Sequence, residues 1–514
     1  MSYVEIMDTT LRDGEQVFGV SYTAEEKLTI AKFLLEKVKV DRVEVASCLS
    51  SERDKRAVSM ISEFSEHKLK KPYKVEVLCF LNEKSLKWAQ ESGAKTINLL
   101  AKGSVLHLRE QLKKSKEEHF KDIRKIATKG VSQGMRVNIY LEDVSYGIGE
   151  DSDYVRSLLN LCEELEFSRV MLPDTRGILS PKKVREYFED IVKDYRKLTF
   201  DFHGHNDYGL ATANSLEALE LGFNGVHGTV NGMGERAGNT PLEEIVVAIN
   251  DFTKRRCSVQ EKYLSTASML VQRMSGKRVS WNKPIVGDYV FTHVAGIHAD
   301  GEKKGNIYTS KLEAGRFGRE KSYSIGKLSG KASIQLALKN MGINLSKEKL
   351  EAVLKKVVEI AEKKETLTEA DLLYMLSDVL EMPVKRVFKV LNATVVSEKE
   401  LDSAAILLLE INGEKVKASG KGCGGFDAFM NSIKKPCKER GLFIPQLIDY
   451  EVGIPKGGET DSLVEATITW MNRKGNYFKT VGVSPDQVMA AIYAASKAIN
   501  YANIREPYKN FPKK

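Results

Sequence analysis

Short apolar runs alternate with longer amphipathic stretches along residues 1–260. The runs are rich in Val, Ile and Leu and have the length of buried strands, whereas the longer stretches repeat their apolar positions with helical spacing. The eight predicted strands are Val4–Met7, Arg42–Ala46, Lys74–Phe80, Thr96–Leu100, Arg136–Leu141, Arg169–Leu172, Thr199–Phe202 and Gly225–Val230. This count and length predict an α/β fold with a (β/α)8 TIM barrel. A doubly wound open sheet is the alternative, but it usually has fewer strands.

Helix-start signals precede several of the amphipathic stretches. Thr23 stands before Glu25 and Glu26, and Ser180 stands before Pro181, which are residue types favoured at a helix N-terminus. The predicted helices are Ala24–Lys37, Glu52–His67, Asp153–Leu165, Pro181–Asp194 and Pro241–Phe252.

The alternation stops after Gln260, and three further regions follow. Residues 261–330 form a linker subdomain rich in Gly, Lys, His and Tyr, and residues 331–384 form a small helical subdomain. Residues 385–514 contain strand-like runs and two helices in a weak repeat, in which Ser462–Ile499 follows the order of Ala404–Lys435. This region is therefore predicted to be a duplicated ββα domain beside the barrel of residues 1–260.

Composition narrows the classes of function. The net charge is +9, but the charges are mixed along the chain, without the basic–aromatic runs of a nucleic-acid-binding protein. This mild basic bias suits a polyanionic substrate. No run approaches the ~20 apolar residues that span a bilayer, and the N-terminus has no signal-peptide core. The six cysteines form no CxxC pair. We expect a cytoplasmic protein with no nucleic-acid or membrane partner.

The sharpest local signal is the pair His203 and His205, at the end of the seventh predicted strand. Residues two apart on a strand point to the same side, so both imidazoles can reach one ion. A polar strand end without a metal is the alternative. The C-terminal ends of the strands carry the active site in TIM barrels, which favours the metal site.

Other strand ends carry ionisable groups as well. Arg12 and Asp13 follow the first strand, Glu142 the fifth and Thr175 the sixth, and a Gly-rich segment ending at Asn239 follows the eighth. A carboxylate with two histidines suits a divalent ion that acts as a Lewis acid on a 2-keto acid, with an arginine to stabilise the alkoxide. The Gly-rich segment lacks the spacing of a dinucleotide-binding motif.

Three motifs together resemble the DRE-TIM metallolyases: TLRDGEQ at 10–16, HGHND at 203–207 and NGMGERAGN at 231–239. That superfamily includes 2-isopropylmalate, homocitrate and citramalate synthases and 3-hydroxy-3-methylglutaryl-CoA lyase. GIHADG at 296–301 and the C-terminal domain, which is similar to the leucine-regulated one, narrow the resemblance to 2-isopropylmalate and citramalate synthases.

The resemblance implies a role for each matched residue. Asp13, His203 and His205 would hold a divalent metal ion (Mg, Mn or Zn), with Asn239 as a possible further ligand. Arg12 would contact the keto oxygen and Thr175 the substrate carboxylate, and Glu142 would lie in the catalytic centre. Three linker residues would reach into the neighbouring subunit of a homodimer, with the first as the candidate base: His298, Asp300 and Tyr308. The remaining histidines are interpreted as ordinary core or surface residues: His67, His107, His119, His227 and His293.

The implied reaction is a Claisen-type condensation of acetyl-CoA with a 2-keto acid. Leu78, Leu100 and Tyr140 would line the pocket for the acceptor side chain, and their bulk favours pyruvate, with (R)-citramalate as product, over 2-ketoisovalerate, the acceptor of 2-isopropylmalate synthase. The C-terminal domain would bind an amino-acid effector, isoleucine for the first reaction and leucine for the second.

Two other classes of function remain alternatives. An inactive sensor on the same fold predicts a broken ligand set, but Asp13, His203 and His205 are all present. A lyase that runs the reverse reaction generally lacks the duplicated C-terminal domain.

Overall fold

The computed structural model describes residues 2–293, 310–319, 322–323, 334–335, 338, 343, 345–361, 371–372, 386–397, 402–454, 462–473, 475 and 477–503. The chain divides into two compact units, Met1–Phe291 with Ser310–Glu320, and Thr292–Thr309 with Lys321–Lys514. His298, Asp300 and Tyr308 lie outside the described residues.

The first unit contains a closed barrel of eight parallel strands, which confirms the predicted fold. Each strand pairs with the next, and β8 pairs with β1. The strands are β1 Glu5–Asp8, β2 Arg42–Ser47, β3 Val75–Phe80, β4 Thr96–Lys102, β5 Arg136–Glu142, β6 Val170–Asp174, β7 Phe200–Gly204 and β8 Gly225–Gly228.

Helices surround this barrel, and two of them begin at the predicted N-terminal capping residues. Thr23 and Glu26 form a reciprocal capping box at the first helix, and Ser180 caps the helix that begins at Pro181. The helices are α1 Ala24–Phe33, α2 Glu52–Glu63, α3 Glu83–Glu91, α4 Val105–His107, α5 Lys116–Ser132, α6 Val144–Glu150, α7 Ser152–Glu164, α8 Pro181–Asp194, α9 Ala211–Leu221, α10 Leu242–Phe252 and α11 Leu264–Ser275.

Two predicted helices are divided in the structure. The predicted Ala24–Lys37 consists of α1 and the π-helical turn Leu34–Val38, and the predicted Glu52–His67 consists of α2 and the π-helical turn Phe64–Lys68. The hydrophobic period continues through each junction, so the sequence pattern predicts a single helix.

The large hydrophobic core lies between the strands and the surrounding helices. Since both faces of the strands are covered, strands such as β6 and β7 are buried along their whole length. At the N-terminal ends of the strands the barrel interior is closed by ion pairs, in which Arg42 contacts Glu76 at 3.0 Å and Asp201 at 2.5 Å. At the C-terminal ends the polar residues form the site described below.

In the second unit, two three-stranded antiparallel sheets have the same construction. Each half contains the predicted hairpin and helix, and one further strand precedes each hairpin. Its elements are β9 Thr292–His293, β10 Ser322–Tyr323, α12 Lys347–Ala361, β11 Phe388–Val396, β12 Ser403–Ile411, β13 Glu414–Gly422, α13 Gly425–Glu439, β14 Gln446–Gly453, β15 Val464–Met471, β16 Tyr477–Ser484 and α14 Gln487–Asn503.

Glycines allow each helix of these halves to pack closely on its sheet. A Cβ atom on Gly422 would lie 2.5 Å from the backbone nitrogen of Ala428, and one on Gly482 would lie 1.9 Å from the carbonyl oxygen of Ala490. The two halves share this close contact, which accounts for part of the Gly-rich sequence near residue 422.

Among the described residues, no helix combines the length and the apolar character needed to span a membrane. The predicted boundaries of the four domains stay a prediction.

Candidate active site

Asp13, His203 and His205 come together at the C-terminal end of the barrel. One potential ligand atom from each lies within 4.8 Å of those of the other two, and all three residues are buried. Nε2 of His203 is 3.4 Å from Oδ2 of Asp13, and the two imidazole centroids are 5.1 Å apart. The i, i+2 spacing of His203 on β7 and His205 directly after it thus directs both rings toward the loop after β1.

The donor set fits a divalent metal ion. A carboxylate and two imidazoles suit Mg, Mn or Zn. The Nδ1 atoms of His203 and His205 and the Oδ1 atom of Asn239 are buried without a hydrogen-bond partner among the described residues. Buried polar atoms are usually satisfied, so unpartnered atoms beside this cluster are consistent with a bound ion.

Asn239 contacts the cluster directly. Its Nδ2 atom donates to Oδ1 of Asp13 at 3.0 Å and to the carbonyl oxygen of Met233 at 3.0 Å. Gly234 makes room for this amide: a Cβ there would lie 2.2 Å from Nδ2 of Asn239, and the φ of Gly234 is +156°. The Gly-rich segment after β8 therefore holds Oδ1 of Asp13, whereas Arg12 contacts Oδ2.

The protonation states also suit metal binding. Burial lowers the pKa of His205 to about 4, and the neighbouring His203 lowers it further, so that this imidazole is neutral. Burial alone would raise the pKa of Asp13, but the charge of Arg12 and the hydrogen bond with His203 outweigh burial and hold this pKa well below its ordinary value. Asp13 is therefore a carboxylate.

Arg12 is held between two carboxylates. Its Nη1 donates to Oδ2 of Asp13 at 2.6 Å, and its Nε donates to Oε2 of Glu44 at 2.7 Å. Glu44 lies inside the barrel on β2 and is fully buried, and it also accepts hydrogen bonds from Thr9 and Asn98. These contacts fix the guanidinium beside the candidate ligands.

The three predicted pocket residues lie in one small cluster. Leu78 and Tyr140 pack with Met7 and Met171, and Leu100 packs against them. Tyr140 connects this cluster to the ligand group, because its hydroxyl is 3.4 Å from Nη2 of Arg12 and its ring lies edge-on to His203. The two methionines are not singled out by the sequence motifs.

Glu142 lies at the end of β5 and is not isolated. The Nζ atom of Lys102, at the end of β4, forms an ion pair with its Oε2 atom. His107 lies nearby, with Nε2 at 3.4 Å from Oδ2 of Asp143 and Nδ1 at 3.9 Å from Oε1 of Glu142. His107, interpreted from sequence as an ordinary residue, thus adjoins two acidic side chains.

Thr175 is held close to this group. Its Oγ1 atom accepts a hydrogen bond at 2.8 Å from the backbone N–H of Asp143, which leaves the hydroxyl hydrogen to donate elsewhere. Arg236 donates to the carbonyl oxygen of Thr175 at 2.8 Å and is paired with Asp207, and thereby links the loops after β6, β7 and β8.

The chain is similar in sequence to a known family and to several curated relatives. The HMGL-like family model matches residues 3–271, more than half of the chain. A putative (R)-citramalate synthase from Methanopyrus kandleri is 31% identical over 97% of this chain and 96% of the relative. The (R)-citramalate synthase of Methanocaldococcus jannaschii is 32% identical over 97% of this chain and 99% of the relative.

The chain belongs to the family of citramalate and 2-isopropylmalate synthases. A probable 2-isopropylmalate synthase from Methanopyrus kandleri is also 32% identical, over 97% of this chain and 98% of the relative. In this synthase family member, residues 285–365 match the homocitrate synthase post-HMGL domain-like model, and residues 366–503 match the LeuA allosteric (dimerisation) domain.

Proposed function

We propose that this synthase family member condenses acetyl-CoA with pyruvate and hydrolyses the resulting thioester with water, giving (R)-citramalate and free CoA, in isoleucine biosynthesis. The observation that carries the choice of acceptor is the cluster of Leu78, Leu100 and Tyr140 beside Arg12. The family includes synthases for both pyruvate and 2-ketoisovalerate, so the acceptor has to be inferred from the residues that line the pocket.

The proposed metal site consists of Asp13, His203 and His205, with the amide oxygen of Asn239 as a further candidate ligand. A divalent ion bound there supplies Lewis acidity toward a carbonyl group. The charge of the site favours binding of a divalent cation, because Asp13 is a carboxylate and His205 is a neutral imidazole.

The side chains around this site orient the keto acid. Arg12 directs its guanidinium to the keto oxygen and stabilises the negative charge that develops there, because it is already fixed by Glu44 and Asp13. Thr175 donates its hydroxyl hydrogen to the substrate carboxylate. Glu142 lies in the catalytic centre as an acceptor of hydrogen bonds or of a proton, and Lys102 holds it in place.

The acceptor side chain lies against the pocket cluster. Pyruvate presents a methyl group, whereas 2-ketoisovalerate presents an isopropyl group with two more carbons. Leu78 and Tyr140 are 7% and 3% exposed, so space beside them is small. Overpacking a filled pocket costs ~1–3 kcal/mol, and discrimination of about 10- to 200-fold per methylene is typical.

We further propose a homodimer in which His298, Asp300 and Tyr308 complete the partner's active site, with His298 as the base for the acetyl methyl group. The C-terminal domain binds an amino-acid effector, isoleucine. The match to the LeuA allosteric (dimerisation) domain supports both the dimer and the effector.

The direct experiment measures release of the CoA thiol from acetyl-CoA with pyruvate and added Mg²⁺ or Mn²⁺, and identifies the product by chiral chromatography. Thiol release with formation of (R)-citramalate, abolished by a chelator, supports the proposal. The absence of thiol release with both pyruvate and 2-ketoisovalerate, for the dimer with metal present, would overturn the assignment as a condensing enzyme.

A further inference from the structure

Lys27 is a buried lysine on α1 that has no place in the proposed chemistry. Its side chain is 1% exposed. The Nζ atom lies 2.7 Å from Oδ1 of Asp54, 2.7 Å from Oε2 of Glu15, 3.0 Å from the carbonyl oxygen of Leu11 and 3.1 Å from the carbonyl oxygen of Val45. An ammonium has three N–H donors, so these four acceptors saturate it.

The two carboxylates compensate the buried charge. Asp54 is oriented by Ser50 and Ser51, whose hydroxyls donate to its Oδ2 atom at 2.8 Å and 2.7 Å. Glu15 is oriented by the backbone N–H of Tyr22 at 2.8 Å. A buried ammonium is tolerated when it is paired and hydrogen-bonded in this way, so Lys27 has one well-defined position.

The two carbonyl groups connect Lys27 to the active site. Leu11 directly precedes Arg12 in the loop after β1, and Val45 directly follows Glu44 on β2. Lys27 therefore donates hydrogen bonds to the backbone next to each partner of the Arg12–Glu44 ion pair. In this pair, Nη2 lies 2.6 Å from Oε2. The same loop carries Asp13 only two residues after Leu11.

We propose that Lys27 is a positioning residue that sets the distance between the Arg12 loop and β2, and thereby fixes both the metal ligand Asp13 and the guanidinium of Arg12. This role rests on the proposed function for its kinetic consequences, but its effect on metal binding is independent of turnover. Lys27 touches neither substrate nor metal.

The experiment compares full-length protein carrying Lys27→Met, Asp54→Asn or Lys74→Met. Metal is removed with a chelator, Mn²⁺ is titrated by calorimetry or electron paramagnetic resonance, and KM is then measured for pyruvate and for acetyl-CoA. Lys74→Met is the matched control, because Nζ of Lys74 donates to the carbonyl oxygen of Val40 at 2.9 Å near the opposite ends of the strands.

We expect Lys27→Met to raise the Kd for Mn²⁺ and the KM for pyruvate by about 10- to 100-fold, the range found when residues supporting metal ligands are replaced. The KM for acetyl-CoA should stay within about twofold, because only the binding of metal and keto acid depends on this loop. Asp54→Asn should act in the same direction with a smaller effect, and Lys74→Met should leave the Mn²⁺ affinity unchanged.

A folded Lys27→Met protein with wild-type Mn²⁺ affinity and wild-type pyruvate KM would overturn the proposal. So would a parallel rise in both KM values, which indicates general disruption. If Lys27→Met does not fold, Asp54→Asn decides by the same two criteria. Failure of the wild-type protein to release thiol would refute the proposed reaction, whereas the Mn²⁺ titration would still decide the role of Lys27.

Discussion

The Arg12 guanidinium, in the loop after β1, and the Glu44 carboxylate, on the neighbouring strand β2, form a buried ion pair, with Nη2 2.6 Å from Oε2. Burial alone would raise the pKa of Glu44, but the charge of Arg12 and the hydrogen bond from Asn98 outweigh burial and lower it. Glu44 is therefore an anion that fixes the cation proposed to contact the keto acid.

We expect Glu44→Gln to impair both stability and catalysis. Breaking a buried ion pair leaves an uncompensated charge and costs about 3–5 kcal/mol of unfolding free energy. Misplacement of Arg12 should lower kcat/KM for pyruvate by about 100-fold. Denaturant unfolding and steady-state kinetics measure the two effects.

Asp251→Asn is the control for this prediction, since Asp251 on α10 is a largely buried partner of Arg316, with Nη1 2.9 Å from Oδ2, outside the barrel interior. It should reduce stability and leave the kinetics of the folded protein nearly unchanged. Wild-type kcat/KM in Glu44→Gln would contradict the role given to Glu44.

Leu100→Ala should change the choice of acceptor. Removal of the isobutyl group enlarges the pocket beside Leu78 and Tyr140, so kcat/KM for 2-ketoisovalerate relative to pyruvate should rise by about 10- to 100-fold. Leu99→Ala is matched to it on the same strand, but Leu99 faces the core between strands and helices. That variant should lose about 2–5 kcal/mol of stability and keep the acceptor ratio. An unchanged ratio in Leu100→Ala would show that Leu100 does not line the pocket.

Metal removal should abolish activity and lower thermal stability. Ligand binding to the native state stabilises it by about 2.7 kcal/mol at 100 times Kd, so Mn²⁺ should raise the Tm of the chelator-treated protein. His203→Ala and His205→Ala should lose this rise, whereas His67→Ala, which replaces an exposed histidine, should keep it. A full Mn²⁺-dependent rise in His203→Ala would refute the proposed ligand set.

Lys102→Met should lower kcat without weakening metal binding. The ion pair with Glu142 is lost, and if this carboxylate transfers a proton, as proposed, its misplacement should cost on the order of 100-fold in kcat. The Kd for Mn²⁺ should not change, because the proposed ligands lie at the end of β7 and in the loop after β1. Lys102→Arg should restore part of the activity, and Lys114→Met, which removes a surface pair with Asp122, should have no effect. A loss of metal affinity equal to the loss of kcat would point instead to disruption of the whole site.

The sequence predicts the barrel well because its hydrophobic pattern has a clear period. Each of the eight predicted strands overlaps an observed one, and Asp13, His203 and His205 meet because all strands of a parallel barrel end on one side. The motif residues are thus brought together by topology alone. The shared direction of His203 and His205 follows from their spacing of two residues at the end of β7.

Partners of these residues are less predictable. Glu44 stands within the apolar run of β2, and its pairing with Arg12 depends on how the loop after β1 lies over the neighbouring strand, 32 residues away in sequence. Lys102 is the last residue of β4, two residues after Leu100, and only the folded barrel brings it to Glu142. An isolated acid or lysine within or at the end of an apolar run is the one signal that marks such residues.

The central claim is tested most directly by comparing kcat/KM for pyruvate and for 2-ketoisovalerate side by side, at saturating acetyl-CoA and Mn²⁺, with thiol release as the signal. A preference for pyruvate of about tenfold or more is expected, because the larger side chain has to displace Leu78, Leu100 or Tyr140. A preference for 2-ketoisovalerate would contradict the account of the pocket and identify the reaction as that of a 2-isopropylmalate synthase.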